Sequence, residues 1–372
     1  MSMIGAGMKR MVSALGLAFV TFAVSAADRT WSGAGTDNNW SIGANWGGTA
    51  PVAGDTLFFG GASRTSNSND ISDGLAISGI GFNLGAGAFA LGGFGITLNG
   101  NISNFSANAQ TFNLPMTLTG IRTIYGSNTD FTVNGVLSGP GGLLLDSTNK
   151  TVTIKGNNSY EGLTSVTNCR LWITHANALG STNQGTVVWG RLNGNLTLSG
   201  NIEVAEPITL KGQILPWISS LTCNSGSNVI TGPVYKEIDG RMRVEAGNNK
   251  LIFRGGLIHV NGGQMALNPA TGAEMIFLDK PINFGTSTSI LTEEGGTVVL
   301  GVAGNTFTQL QIGNQSKVRL EASNAIPPSC TLVIGASWAQ NGLFNMNGFD
   351  ATVALLRTDA HATNPGYLAV TS

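Results

Sequence analysis

The sequence predicts an all-β chain wound as a parallel β-helix, with an aromatic-rich cap over its N-terminal end. Three observations predict it. Only 10% of the 372 residues are charged while 53 are Gly, a composition poor in helix formers and rich in turn residues. Short runs alternate apolar and polar residues and close on Gly or Asn, as in Arg170-Leu171-Trp172-Ile173 and Leu196-Thr197-Leu198; these read as half-buried strands joined by tight turns. The runs return at intervals of about twenty residues, too short to bury a face alone, so neighbouring coils must stack. Inward Val, Ile, Leu and Phe then form one core, Gly and Asn take the corners, and inward Asn stack in ladders. The alternative is an antiparallel sandwich or propeller, for which Asn99-Gly100, Asn134-Gly135 and Asp239-Gly240 supply hairpin turns.

In chain order, residues 1–26 read as an export signal. Lys9-Arg10 precede the apolar stretch Met11 to Ala23, and Val24-Ser25-Ala26 offers a cleavage site. No later apolar run is long enough to span a membrane, so no transmembrane segment is expected after cleavage. Residues 27–62 carry Trp31, Trp40 and Trp46, read chiefly as a cap over the exposed end of the first coil and otherwise as a sugar-binding platform. Residues 63–372 form the repeat region. Within it Gly85 to Gly95 lacks the spacing of a phosphate loop and reads as turns. Cys169, Cys223 and Cys330 share strand parity with apolar neighbours and read as inward core residues.

The repeat is visible at an offset of 147 residues: Asn158-Ser159-Tyr160 aligns with Asn305-Thr306-Phe307, Arg170 to Ile173 with Lys317 to Leu320, and Ala176 to Leu179 with Ser323 to Ile326. A proline cassette recurs at Leu114-Pro115-Met116, Glu206-Pro207-Ile208 and Lys280-Pro281-Ile282. Proline is tolerated at the start of a strand, so the cassettes predict equivalent corners.

The text Val136-Leu137-Ser138-Gly139-Pro140-Gly141-Gly142-Leu143, followed by Val152-Thr153-Ile154-Lys155-Gly156-Asn157-Asn158-Ser159-Tyr160-Glu161-Gly162 and Ala176 to Gly180, resembles the autotransporter-associated β-strand repeat, also called the passenger-associated transport repeat. The resemblance implies a right-handed parallel β-helical stalk exported to the surface of a Gram-negative-type bacterium. Lys150-Thr151 and Ser165 to Cys169 depart from the pattern, replacing its usual glycines. The residues after Gly348 are too few for an outer-membrane barrel of eight strands or more. A passenger fragment or a stand-alone secreted protein is therefore expected.

Chemistry is sparsely written. A net charge of −1 without a basic run argues against nucleic acid as partner. The three His, at 175, 259 and 361, lie far apart, and no Cys-x-x-Cys appears, so neither a metal site nor a cofactor is expected. Glu293-Glu294, the one adjacent acidic pair, reads as a solvated turn. Asn128-Thr129-Asp130 lacks the partners of a polygalacturonase site, and Gly335 to Ala339 lacks the last Gly of a nucleophile elbow. The densest charge, at Lys236, Glu237, Asp239, Arg241, Arg243 and Glu245, reads as a solvent-facing loop or hairpin. Lys236, Arg241 and Arg243 are its candidates for an acidic glycan. The expected function is a non-enzymatic structural or adhesive β-helix, with surface glycans or other cell-surface proteins as partners. The alternative is a carbohydrate-active or carbohydrate-binding β-helix, which would need sequence-distant acids to converge on one face.

Overall fold

The computed structural model describes residues 26–127, 129–212, 220–237, 239–260, 263–285, 288–335, 341–358 and 368–371. The stretch read as an export signal, as far as Ser25, and Asn128, Ala336 to Ala339 and His361 lie outside them. The described chain is a β-solenoid whose coils stack their strands into three parallel ladders. The first ladder begins with Asp28–Trp31, Thr56–Phe59, Gly79–Phe82 and Ile102–Asn104 and continues to Ile282–Asn283, twelve strands in all among the described residues. The second runs from Ser66–Asn69 to Leu355–Thr358. The third starts with Leu75–Ile77, Ile96–Leu98, Met116–Leu118 and Leu137–Ser138. It resumes as regular strands from Glu203–Val204 to Leu368–Thr371.

Strand alternation places one set of side chains inside, and these form a core that runs without a break along the solenoid. Cys169, Cys223 and Cys330 belong to it as free, buried thiols. Burial pushes the thiols of Cys169 and Cys330 up to about 12, so both stay protonated at neutral pH.

The hairpin alternative fails at its own evidence. Among the described residues the named strands pair in parallel, and the one antiparallel contact is an isolated bridge between Ala270 and Gly295. Asn99-Gly100 and Asn134-Gly135 turn a corner and pass on to the next ladder. Their glycines are required by close approach between coils. A Cβ on Gly100 would lie 1.7 Å from the Ser78 carbonyl oxygen, and one on Gly135 would lie 2.0 Å from that of Leu114.

Where the chain departs from the resembled repeat, two long strands appear. Leu143–Ile154 and Thr164–Ile173 each cross a corner from the first ladder to the second, and the register between them shifts between Asp146 and Lys150. Asn149 and Asn168 make these bends, at φ of 56° and 49°. Asn tolerates this left-handed backbone better than most residues, which is how a strand-rich corner forms without glycine.

The 147-residue repeat is present in the structure with a shift the sequence did not announce. Asn158 Oδ1 accepts from the Leu137 N–H at 2.8 Å and its Nδ2 donates to the Ala178 carbonyl at 2.8 Å. Asn305 does the same with the Ile282 N–H at 2.7 Å and the Ala325 carbonyl at 2.8 Å. These are Asn side-chain clamps between successive coils; neither side chain bonds another Asn side chain. Yet Asn158 braces the third ladder and Asn305 the first. Likewise Arg170 to Ile173 lie in the second ladder and Lys317–Leu320 in the third.

The proline cassettes follow the same rule. Pro207 and Pro281 enter strands of the first ladder, whereas Pro115 enters one of the third. Equivalence of all three corners is thus corrected. A long corner marks the phase: residues 105–109 follow a strand of the first ladder, and residues 245–249 follow one of the second.

Candidate functional site

The Trp-rich opening is itself a coil. Asp28–Trp31 and Thr56–Phe59 pair in the first ladder, and Asn39 bridges Ser68 of the second. Trp31 and Trp40 are 0% exposed and Trp46 4%. Trp46 stands edge-on to both partners, with centroids 5.0 Å from Trp31 and 5.9 Å from Trp40. Every indole N–H is satisfied: Trp31 by the Ser63 carbonyl at 3.2 Å, Trp40 by Asn67 Oδ1 at 2.8 Å and Trp46 by the Trp40 carbonyl at 2.9 Å. The three rings fill the end of the core, and no ring face is left for a sugar. As a ligand platform, Trp31, Trp40 and Trp46 are corrected to packing residues.

The basic segment is neither a hairpin nor a loop. Val234–Lys236 is a strand of the first ladder and Gly240–Val244 a strand of the second. Parity divides the three candidates. Lys236 points inward with Val234 and is 0% exposed. Its Nζ has no hydrogen-bond partner, and burial pushes its amine down to about 8. Arg241 and Arg243 alternate with the inward Met242 and Val244 and lie on the opposite side of the sheet. The three residues do not converge.

The two arginines find a partner about fifty residues on. Glu294 Oε1 accepts from Arg241 Nη2 and, at 3.1 Å, from Arg243 Nη1; Arg243 Nε also reaches Glu245 at 3.0 Å. The side chain of Glu294 is only 15% exposed. The sequence reading of Glu293-Glu294 as a solvated turn is therefore corrected for Glu294. It sits two coils beyond the arginines and binds them from the side. Nothing local in the sequence signals this contact, because it depends on how many residues each intervening coil consumes.

Two further features escaped the sequence reading. Glu206, next to a cassette proline, is 3% exposed and accepts from Thr186 Oγ1 at 2.9 Å. Burial raises its carboxyl to about 7. The second feature is Trp189, outward at the end of a first-ladder strand and 36% exposed. Its Nε1 donates to Ser165 Oγ at 3.1 Å, and Lys211 Nζ lies 5.0 Å from its ring centroid. Lys211 is paired in turn with Glu237 at 3.0 Å. Tyr235 and Ile258, outward and half-buried, stand in neighbouring coils of the same face.

Among the described residues no three His, Cys, Asp or Glu side chains are grouped as metal ligands, and no helix is long and apolar enough to cross a membrane. No family model, no curated protein and no solved structure matches the chain.

Proposed function

We propose that the chain is an exported, non-enzymatic β-solenoid that serves as a structural or adhesive stalk. The observation that carries this reading is the unbroken core beneath twelve stacked strands of the first ladder. At the usual inter-strand spacing such a column is roughly 55 Å long. The buried apolar side chains form one cluster along that rod, which suits a spacer that holds something away from a surface. The repeat at 134–181 that resembles the autotransporter-associated β-strand repeat supports export, as does the leader-like start.

The test is cell fractionation with intact-mass measurement of the native product. A mature chain beginning near Ala27, found in the medium or at the cell surface, is the expected result. Full-length protein retained in the cytoplasm with Met1 to Ala26 attached would sink the proposal.

A second reading, glycan binding, draws support from Trp189. A half-exposed indole bonded to Ser165, with Lys211 over its ring, offers an aromatic surface with polar groups around it. Binding of neutral glycans on an array should fall at least tenfold in Trp189→Ala and stay unchanged in Arg243→Ala. Equal binding by all three proteins would remove this reading.

A further inference from the structure

The outward side of the first ladder carries three neighbouring columns of residues. Strand register runs the middle column through Ser165, Val187, Thr209, Tyr235, Ile258 and Asn283. The residues that follow the strands extend the ladder by one step, because the N–H groups of Lys211, Glu237 and Val260 donate to the carbonyls of Val188, Leu210 and Lys236. They form a second column: Trp189, Lys211, Glu237, Val260. The residues before the strands form the third: Gly185, Pro207, Pro233, Gly256. Here the N–H groups of Thr186, Ile208 and Val234 donate to the carbonyls of Pro207, Pro233 and Gly256.

Each column reads nearly alike in both directions. The middle one is polar at its ends, aliphatic one coil in, and hydroxyl-bearing at its centre. The third has glycine at both ends and proline twice between. The second has apolar ends around one cation and one anion. All three share a centre, midway between the coils of Thr209 and Tyr235. Half a turn about an axis lying along the strands at that point sets Val187 opposite Ile258 of a second copy, and Thr209 opposite its Tyr235. The same turn sets Trp189 opposite its Val260 and Lys211 opposite its Glu237. A twofold contact needs this reciprocity, in which one residue meets another and the other meets the first.

The face also has apolar surface left to cover. Val260 is 56% exposed, and Val187, Tyr235 and Ile258 are half-buried although they point outward. Lys211 and Glu237 pair at 3.0 Å within the chain, and a second copy would add two more opposite-charge contacts to that pair. A slip of one coil would instead set Lys211 against Lys211, so charge fixes the register.

We infer that this face binds a second copy of the chain, face to face and with the two solenoids antiparallel. A patch of about 24 Å by 13 Å is small for a permanent dimer, so the pairing should be reversible. The inference goes beyond the stalk reading and does not rest on it, since a purified chain pairs whether or not a cell exports it.

The test is sedimentation velocity of the purified full chain over a concentration series, with no sugar present. The parent should form a dimer whose share rises with concentration and falls as salt is added. Lys211→Glu and Glu237→Lys should each weaken pairing by about tenfold or more, because either change sets like charges across the axis twice. An equal mixture of the two variants should pair again, since each introduced charge then meets an opposite one. Both side chains are partly exposed, so the variants should keep the parent's unfolding midpoint. A parent that stays monomeric, single variants that pair as tightly as the parent, or a mixture that does not recover would each overturn the inference. Recovery in the mixture cannot come from misfolding, so the test holds even where a variant is less stable.

Discussion

The Trp-rich opening and the basic segment were the two places where the sequence suggested a ligand, and folding treats them in opposite ways. At the opening, three large side chains converge, bury one another and satisfy each indole N–H within the same end of the core. At the basic segment, three cations within eight positions are pulled apart by strand parity. One enters the core without an acceptor, and two stay outside to meet Glu294. Aromatic residues clustered in sequence can satisfy one another by packing. Like charges cannot, so their environment depends on what distant coils bring to them.

The largest effect that would break this comparison is expected at the opening. Trp40→Ala removes a fully buried ring and leaves Asn67 Oδ1 without its donor, at a cost of about 3–5 kcal/mol by chemical denaturation. A loss below about 1 kcal/mol would mean that the rings are not the seal on the core.

The second is Glu294→Gln, which strips the countercharge from two arginines, of which Arg241 is itself 7% exposed. The expected loss is about 1–3 kcal/mol, smaller than for a fully buried pair because Arg243 is partly solvated. If Glu293→Gln cost as much, the neighbouring carboxylate would share the role.

The third has the opposite sign. At pH 7, Lys236→Met exchanges an unpartnered buried ammonium for an apolar side chain of similar length. Stability should rise, by about 1–2 kcal/mol. A destabilised variant would show that Lys236 has an acceptor within the chain.

The smallest effect is a pH profile that separates the two buried titrating groups. The carboxyl of Glu206 is raised from 4.5 to about 7 in the fold, so the stability it contributes is complete below 4.5 and is lost as pH rises to about 7. The amine of Lys236 is lowered from 10.5 to about 8, so its penalty is full below about 8 and is relieved as pH rises toward 10.5. Both penalties are complete between about 7 and 8, where stability should pass through a shallow minimum. Glu206→Gln should flatten the acid side of the trough and Lys236→Met the alkaline side. A monotonic profile from pH 5 to pH 10 would contradict both assignments.

The sequence by itself determined the coil. Alternation in runs such as Arg170 to Ile173 set which side chains face inward, as the three buried cysteines show. Asn158 and Asn305, and the cassette prolines, marked real corners. These features are local: a strand's parity and a corner's backbone angles depend on a few neighbouring residues.

Only the tertiary structure decided phase and proximity. The same text braces the third ladder at Asn158 and the first at Asn305, because a face is assigned by the sum of all preceding corner lengths. That sum also brings Glu294 to Arg241 and His259 beside Lys236. A change of one residue in any corner between them would move the partners without altering either motif. The physics of a stacked coil makes its repeat legible in the sequence, and it leaves the charged neighbourhood to be set by the winding.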